Sequence, residues 1–172
     1  MKKITIITPT YNRAKTLPKV FESLINQSFK DFLWIILDDG STDNTSTVVE
    51  NFQLLNPFFE IIYKKDKNRH KFLTVLEGVK MVKTPYFMVV DSDDIYPEDA
   101  LETLISEVEK IENQDNYVAV MGLSADENGK IVGDKYPNEG FDGSIFEMRY
   151  KYKVRGDKFG IFITKTYQRE IS

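Results

Sequence analysis

The densest group of potential ligands in the sequence is the acidic loop Asp91-Ser92-Asp93-Asp94. It follows the apolar residues 87–90, which are typical of a buried strand, so its carboxylates should emerge together at one edge of a sheet. Carboxylates this close repel one another unless a cation or solvent screens them. An all-oxygen ligand set favours Mg²⁺, Mn²⁺ or Ca²⁺, and such a metal can grip a diphosphate. An acidic turn before Pro97 is the competing interpretation.

A second polar segment, Asp38-Asp39-Gly40-Ser41-Thr42-Asp43, follows another apolar run. As a strand-to-helix turn it would use Gly40 for an unusual backbone dihedral angle and Ser41 or Asp43 as a helix cap. As a binding site it would use one carboxylate to accept a hydrogen bond from a nucleotide base or ribose. Both interpretations can hold together.

The third segment is Thr8-Pro9-Thr10-Tyr11-Asn12-Arg13, at the end of the first apolar run. A tyrosine at a strand end can stack on a base, and an arginine near a helix start can pair with phosphate. Taken alone, this segment is equally well explained as an ordinary loop between a strand and a helix.

The elements around these segments alternate along the chain. Strands are predicted at 4–8, 32–37, 58–63, 86–90, 117–121 and 159–164, and helices at 14–27, from Ser41 or Asp43 to Leu55, around 73–82, and from Pro97. This alternation predicts an α/β fold, a three-layer α/β/α sandwich with a mostly parallel central sheet. Ligands of such sheets lie at the carboxyl ends of the strands, where all three polar segments fall. Residues 126–130 suggest a hairpin turn, and 166–172 a polar tail that closes nothing.

Composition excludes several classes of function. The 172 residues suit a single domain, and the net charge of −4 argues against nucleic acid as a partner. The chain has no cysteine and one histidine, so disulfides, thiol catalysis and Cys- or multi-His metal sites are excluded. No apolar run is long enough for a membrane span or a signal peptide. A cytoplasmic protein is therefore expected.

Taken together, the three segments and their spacing resemble the family 2 glycosyltransferases, which have the GT-A fold. The approach to the second strand, Asn26-Gln27-Ser28-Phe29-Lys30-Asp31-Phe32, belongs to the same resemblance, which covers nearly the whole chain. Residues 148–158 look like a subgroup of bacterial surface-polysaccharide transferases. The resemblance implies a Rossmann-like nucleotide-sugar-binding domain over 1–172, with the nucleotide-binding core at 1–121 and the start of the acceptor-side half at 122–172.

The resemblance also implies roles for individual residues. Thr8 and Tyr11 would line the base pocket, and Asp39 would bond the base, expected to be uracil. Asp91 would lie near the ribose or the metal, and Asp93 would coordinate Mn²⁺ or Mg²⁺ that bridges the diphosphate. The implied nucleotide contacts are Thr8, Pro9, Tyr11, Arg13, Asp39, Lys71, Asp91 and Ser92. The implied reaction moves a sugar from a nucleoside-diphosphate sugar, UDP in the expected case, to an acceptor hydroxyl of a saccharide or lipid-linked acceptor, usually with inversion.

The sequence departs from the family pattern in two places. The general base normally lies well after the part matching 149–164, so it is expected beyond Ser172 and the chain is expected to be truncated. Family members often carry Gly-Gly-Lys-His where this chain has Asn68-Arg69-His70-Lys71-Phe72. Lys71 can still reach phosphate, whereas His70 is better explained as a solvated loop residue.

The basic stretch 149–158 has two interpretations. It could face an anionic acceptor, a lipid phosphate or the inner face of a membrane, or it could be a solvated strand edge whose lysines discourage aggregation. Tyr150 and Tyr152 are expected to pack rather than to bind sugar.

Three other functions compete with sugar transfer. A sugar nucleotidyltransferase can share the sheet and a metal-binding aspartate, but it would carry a glycine-rich loop after the first strand, and residues 8–13 contain no glycine. A non-catalytic nucleotide-binding protein is also compatible with the three segments. An EF-hand calcium module would need glycine where Asn44 or Tyr96 stands, and an entering helix where strands are predicted.

Overall fold

The computed structural model describes residues 2–138 and 140–170. Its strands are β1 Ile4–Thr10, β2 Phe32–Asp38, β3 Glu60–Lys65, β4 Tyr86–Val89, β5 Ala119–Leu123 and β6 Lys158–Ile163. Its α-helices are α1 Leu17–Ile25, α2 Thr45–Leu55, α3 Lys71–Met81, α4 Ala100–Glu109 and α5 Thr164–Glu170, and a π-helical segment spans Glu147–Lys151. The predicted order of elements is confirmed, with bounds shifted by a few residues.

The six strands form one mixed sheet in the order β3-β2-β1-β4-β6-β5. Strand β1 lies between β2 and β4 and is parallel to both, and β2 is parallel to β3. Strand β6 joins β4 in the antiparallel direction, with Phe87 opposite Phe162. The predicted mostly parallel α/β sheet is therefore confirmed, and the carboxyl ends of β1, β2, β3 and β4 meet at one edge.

One face of the sheet is covered by α1 and α2 through aromatic side chains. Trp34 of β2 is fully buried, and its ring stacks on Phe21 of α1 and Phe52 of α2 at centroid distances of 6.2 and 6.0 Å. Phe21 and Phe52 stack on each other at 4.2 Å. Burying aromatic side chains of this size supplies much of the apolar driving force on this face.

The opposite face of the sheet is covered by α3. Ile35 alternates with Trp34 along β2 and so points to this face, where it belongs to a buried cluster with Ile7 and Val79. Gly78 allows the close approach of helix and sheet, because a Cβ at this position would lie 2.6 Å from Leu37 Cδ1. Helices on both faces complete the predicted three-layer sandwich.

The predicted polar tail is wrong as far as the structure describes it. Its residues up to Glu170 belong to α5, and 171–172 lie outside the described residues. Tyr167 meets Phe87 and Phe162 edge-on, at centroid distances of 5.1 and 5.2 Å. Gln168 Nε2 donates to the carbonyl oxygens of Val79 and Val82, where α3 ends. Local polarity had suggested a free tail, whereas two apolar contacts and two hydrogen bonds hold it on the sheet.

The chain divides into two compact units. The first comprises the chain up to Val120 together with the segment from Ile161 onward, and the second is Met121–Gly160. None of the helices among the described residues has the length and apolar character needed to cross a membrane.

The second unit contains the predicted hairpin turn. Ala125 pairs with Ile131, and Asp126 Oδ1 accepts hydrogen bonds from the N–H groups of Asn128 and Lys130. The alternative of a strand edge for residues 149–158 is wrong, because the π-helical segment occupies the first part and β6 starts only at Lys158.

The two tyrosines of that stretch differ in their surroundings. Tyr152 packs edge-on against Phe141 at 5.3 Å, as expected. Tyr150 is 77% exposed and, among the residues that the structure describes, stacks on Phe146, which is itself 75% exposed. The expectation that both tyrosines pack is therefore met by Tyr152 alone.

Candidate active site

A cleft of about 400 Å³ opens at the carboxyl edge of the parallel strands. Residues from the ends of β1, β2 and β4 and from the start of α3 line it. The lining residues are Pro9, Thr10, Tyr11, Arg13, Asp39, Asn68, His70, Lys71, Asp91, Ser92 and Asp93. The three polar segments identified in the sequence therefore meet in one cleft, although Pro9 and Asp93 are 84 positions apart along the chain.

The loops after β1 and β2 are joined by hydrogen bonds centred on Asn12. Its backbone N–H donates to Ser41 Oγ at 2.8 Å, and its Oδ1 accepts the N–H groups of Thr42 and Asp43 at 2.8 and 3.3 Å. Asn12 has φ 53°, a left-handed conformation that asparagine tolerates better than most residues. These bonds hold the chain at Asn12, between Tyr11 and Arg13.

Asp43 extends the same connection between the two loops. Its carboxylate accepts the N–H of Ala14 and both the hydroxyl and the N–H of Thr45, the first residue of α2. Desolvation acts to raise the pKa of Asp43, but these hydrogen bonds outweigh it and hold the pKa below its usual value. Asp43 thus bonds both the start of α2 and the loop after β1, but the N-cap residue of α2 is Asn44, and neither Ser41 nor Asp43 as predicted.

The adjacent carboxylates Asp38 and Asp39 have different environments. Asp38 is 1% exposed, and its oxygens accept hydrogen bonds from the Ser41 N–H and the Tyr63 hydroxyl. The pKa of Tyr63 is raised, mainly by burial of its hydroxyl and next by its hydrogen bond to Asp38. Gly40, with φ 89°, passes so close to the next loop that a Cβ would lie 3.0 Å from the Asn68 nitrogen. Asp38 therefore stabilises the turn, and Asp39 lines the cleft.

Asp39 is held by one of its two oxygens. Its Oδ1 accepts the Arg69 N–H at 2.7 Å and the Thr74 hydroxyl at 3.0 Å. Across residues 2–138 and 140–170, no hydrogen bond reaches Oδ2. Beside it, Thr10 is 3% exposed, and its Oγ1 is buried without a hydrogen-bond partner in the described chain. One carboxylate oxygen is therefore left to accept a hydrogen bond from a ligand.

Two ion pairs join the loop after β4 to the other loops of the cleft. Lys71 Nζ lies 2.6 Å from Asp91 Oδ2, and Arg13 Nη2 lies 3.4 Å from Asp93 Oδ2. These side chains are between 40% and 62% exposed, so solvent screens both pairs. Each cation and each carboxylate is therefore available for exchange of partners at little cost.

The carboxylates of the loop after β4 fit a metal that is bound partly by the protein and partly by a ligand. They do not form a complete metal site by themselves. Among the described residues, no three carboxylate or histidine side chains are gathered where they could hold a metal. Asp91 and Asp93 provide two carboxylates in the cleft, and Mg²⁺ in particular is commonly bound by one or two carboxylates together with substrate phosphates. The two residues fit this mode of binding.

Of the predicted nucleotide and metal contacts, Thr8 alone is absent from the cleft lining. It is fully buried, and its Oγ1 accepts the indole N–H of Trp34 at 2.9 Å. The hydroxyl is thus occupied inside the sheet, and the next threonine, Thr10, lies in the cleft. The remaining predicted residues come together as expected: Pro9, Tyr11, Arg13, Asp39, Lys71, Asp91, Ser92 and Asp93.

Asn68 and His70 line the cleft without having been predicted to do so. His70 is exposed and has φ 71°, just before α3. The segment follows β3, whose carboxyl end lies at the same sheet edge, so the rule that located the other loops would also have included this one.

The acidic loops do not have the surroundings of EF-hands. Asp39 directly follows β2, and Asp91 lies two residues after β4. An EF-hand calcium loop requires an entering helix at these places. The structure therefore argues against a calcium module of this class.

Several bacterial proteins are similar to this chain in sequence. The GalNAc(5)-diNAcBac-PP-undecaprenol beta-1,3-glucosyltransferase of Campylobacter jejuni is 29% identical over 94% of this chain and 52% of its own length. The poly(ribitol-phosphate) beta-N-acetylglucosaminyltransferase TarP of Staphylococcus aureus is 34% identical over 72% of this chain and 38% of its own length. Glycosyltransferase GlyA of Streptococcus pneumoniae is 30% identical over 87% of this chain and 22% of its own length.

Solved structures share the fold at lower identity. TarS 1-349 of S. aureus in complex with UDP superimposes with a TM-score of 0.69 and 21% identity, over 98% of this chain and 48% of the other. The mannosyltransferase PcManGT of Pyrobaculum calidifontis in complex with GDP-Man and Mn²⁺ gives a TM-score of 0.67 and 18% identity, over 97% and 46%. These likenesses confirm the predicted GT-A fold.

The chain spans between about a fifth and a half of the length of these curated relatives. Within that span, the family model "Glycosyl transferase family 2" matches residues 5–171. The residues that converge on the cleft lie inside this match, and the chain belongs to glycosyl transferase family 2.

Proposed function

We propose that this chain binds a nucleoside-diphosphate sugar, with UDP as the nucleotide, for metal-assisted transfer of the sugar to an acceptor hydroxyl. The proposal depends on three features that meet in one cleft of a family 2 chain. They are the exposed ring of Tyr11, the Asp39 carboxylate with one oxygen that accepts no hydrogen bond from the described chain, and two ion pairs between a cation and a carboxylate. An aromatic ring, a hydrogen-bond acceptor and phosphate-binding cations are the groups that a nucleoside diphosphate requires.

The base is assigned to the side of Tyr11 and Asp39. Tyr11 is 47% exposed at the cleft and offers its ring for stacking. Asp39 Oδ2 would accept the N3–H of uracil, while the Arg69 N–H and the Thr74 hydroxyl keep the carboxylate in place. Cytosine carries no hydrogen at N3, so its N3 would face the carboxylate without donating a hydrogen bond. UDP complexes of TarS support this choice of nucleotide.

The diphosphate is assigned to the side with the two ion pairs. Asp91 and Asp93 would hold Mn²⁺ or Mg²⁺ together with the phosphate oxygens, and the bound cation supplies charge stabilisation to the departing diphosphate. Lys71 and Arg13, once released from the carboxylates, would turn to the phosphates. The Mn²⁺ complex of PcManGT supports a metal in a cleft of this fold. A metal bound to Asp91 and Asp93 would release Lys71 and Arg13 for the phosphates. A diphosphate bound to Lys71 and Arg13 would in turn release the two carboxylates for the metal. Metal and diphosphate would therefore bind cooperatively.

The proposed chemistry is a displacement at the anomeric carbon. The acceptor oxygen forms the new bond, the bond to the diphosphate oxygen breaks with its electron pair leaving on the nucleoside diphosphate, and the configuration inverts. The acceptor proton passes to a carboxylate base, a role that we assign to no residue of this chain. A saccharide or lipid-linked acceptor is supported by the undecaprenol-linked glycan and poly(ribitol-phosphate) in the relatives' names.

Calorimetry with UDP, with and without Mn²⁺, tests the nucleotide and metal sites. The native chain should bind UDP more tightly with Mn²⁺, and Asp93→Asn should lose that gain, roughly ten- to hundredfold for a charged contact. Asp94→Asn is the matched control, because Asp94 belongs to the same loop but does not line the cleft. Lys71→Met should raise affinity for Mn²⁺ alone and lower affinity for UDP.

Two outcomes would contradict the proposal. Equal UDP affinity in all variants, with and without metal, would remove the role of Asp93. Tighter binding of a nucleoside triphosphate than of any diphosphate sugar would favour a nucleotidyltransferase.

Competition among UDP, GDP, CDP and dTDP tests the assignment of the base. Nucleotide binding without sugar transfer would identify a non-catalytic nucleotide-binding chain.

A further inference from the structure

The second unit presents a cluster of exposed apolar side chains that the proposed sugar transfer does not use. Ile145, Phe146 and Tyr150 are 65%, 75% and 77% exposed. They lie within residues 144–158, named here the basic-aromatic segment. Soluble proteins expose single apolar side chains routinely, but adjacent large ones usually mark an interaction surface.

The same segment carries a concentration of positive charge. Five cations, Arg149, Lys151, Lys153, Arg155 and Lys158, stand against the two acids Glu147 and Asp157, which gives a net charge of +3. The whole chain carries −4, so the remaining residues carry −7. Lys151 lies 3.9 Å from Glu147, whereas Arg149, Lys153 and Arg155 make no ion pair with a carboxylate in the described chain.

The exposed groups are held in a defined local structure. The Ser144 hydroxyl accepts the Glu147 N–H, and Glu147 Oε2 accepts the Ser144 N–H in return, a reciprocal cap at the start of the turn. Farther along, the Val154 N–H bonds the Met148 carbonyl at 3.0 Å, and Val154 is buried. Phe146 and Tyr150 stack at 6.1 Å and so share one face. Because these contacts already order the segment, a partner that binds this face would cost the segment little conformational entropy.

We propose that the basic-aromatic segment seats the protein on the surface of an anionic lipid bilayer. Ile145 and Phe146 would bury apolar surface at the boundary of headgroups and acyl chains, and Tyr150 would keep its hydroxyl at the headgroups, where amphipathic rings are favoured. Arg149, Lys153 and Arg155 would contact lipid phosphates, and each basic residue near such a surface adds attraction.

The combination of groups favours a bilayer over other partners. A soluble polyanion would satisfy the cations but leave three large apolar side chains in water. A second copy of the chain would bring two segments of net charge +3 together, which costs electrostatic energy. A bilayer that contains acidic lipids accommodates both the charge and the apolar surface.

Vesicle co-sedimentation tests the proposal with the 172-residue chain. Vesicles of phosphatidylcholine alone are compared with vesicles that also contain phosphatidylglycerol, at low and high salt. The native chain should prefer the acidic vesicles, and salt should weaken its binding. Arg149→Gln/Lys153→Gln should lower the partition coefficient roughly fivefold for each charge removed. Phe146→Ser/Tyr150→Ser should lower it on acidic vesicles without removing the salt dependence.

Matched controls use equally exposed residues elsewhere. Leu54→Ser/Leu55→Ser removes apolar side chains that are 83% and 72% exposed at the end of α2, and Lys15→Gln/Lys19→Gln removes exposed charges near α1. Both controls should bind acidic vesicles like the native chain. Unfolding curves show whether each variant is folded, and the charge variant keeps the test open if the apolar one is not.

Four results would overturn the proposal. The first is absence of binding to acidic vesicles, and the second is equal binding to both kinds of vesicle. The third is self-association of the native chain in sedimentation that Phe146→Ser/Tyr150→Ser abolishes, since the surface would then belong to a second copy. The fourth is displacement by inorganic phosphate at the salt concentration used, which would assign the cations to a small anion. Retained UDP affinity in all segment variants separates this test from that of the nucleotide site.

Discussion

The two sides of the cleft are held by different interactions. On the side of Tyr11 and Asp39, backbone N–H groups of one loop bond side chains of the other, and Asp39 is 6% exposed. On the side of Asp91 and Asp93, two partly exposed ion pairs join the loop after β4 to the other loops. Hydrogen bonds to fixed backbone groups define position, whereas screened ion pairs exchange easily.

This difference matches what the two halves of the proposed ligand need. A nucleotide base is planar and rigid, and its hydrogen-bond donors and acceptors have fixed positions. A pre-organised site therefore binds it with little loss of conformational entropy in the protein. A metal–diphosphate group brings its own strong charges and needs partners that can be released. Three predictions, ordered by expected effect, can break or sharpen this comparison.

Asp39→Asn should have the largest effect, and it should fall on binding. The amide oxygen can still accept the Arg69 N–H and the Thr74 hydroxyl, but an NH₂ group replaces Oδ2 and opposes the uracil N3–H. UDP affinity should fall by about 1.5–3 kcal/mol, with a smaller loss of stability. Calorimetry and urea unfolding measure the two quantities. Asp39→Ala should lose both, and unchanged UDP affinity in Asp39→Asn would move the base elsewhere.

Asn12→Ala should destabilise the pre-organised side by about 1–3 kcal/mol, because the N–H groups of Thr42 and Asp43 lose their acceptor. Urea unfolding and UDP calorimetry provide the measurements. Asn12→Asp keeps the acceptor and should retain most stability and affinity. Asn12→Gly relieves the left-handed backbone but lacks the side chain, so a native-like Gly variant would show that only φ matters at this position.

Arg13→Met and Lys71→Met should have the smallest effect on stability, below about 1 kcal/mol, because their ion pairs are exposed and screened. The Arg13 backbone N–H to Thr45 Oγ1 bond is unaffected by the substitution. The same unfolding assay applies. A loss as large as that of Asn12→Ala would show that both sides of the cleft are equally rigid, and the comparison would fail.

Much of the site was predictable because parallel strands impose a simple geometry. Once apolar runs and helical spacing had indicated alternating strands and helices, the loops after β1, β2 and β4 had to meet at one edge. The prediction of Thr8 as a contact rested on motif resemblance and missed its bond to Trp34, which depends on the neighbouring strand. Lys71 was predicted from the loop after β3, whereas Asn68 and His70 were missed because this loop departs from the family's Gly-Gly-Lys-His run.

The sequence by itself determined the order of the elements, the mostly parallel sheet and most of the cleft residues, because these follow from local periodicity and chain direction. The tertiary structure alone decided the antiparallel insertion of β6 between β4 and β5, and the docking of α5 through Tyr167 and Gln168. It also decided the buried position of Asp38 and its hydrogen bonds to Ser41 and Tyr63. These features depend on contacts between residues far apart in the chain, and local patterns carry no record of such partners.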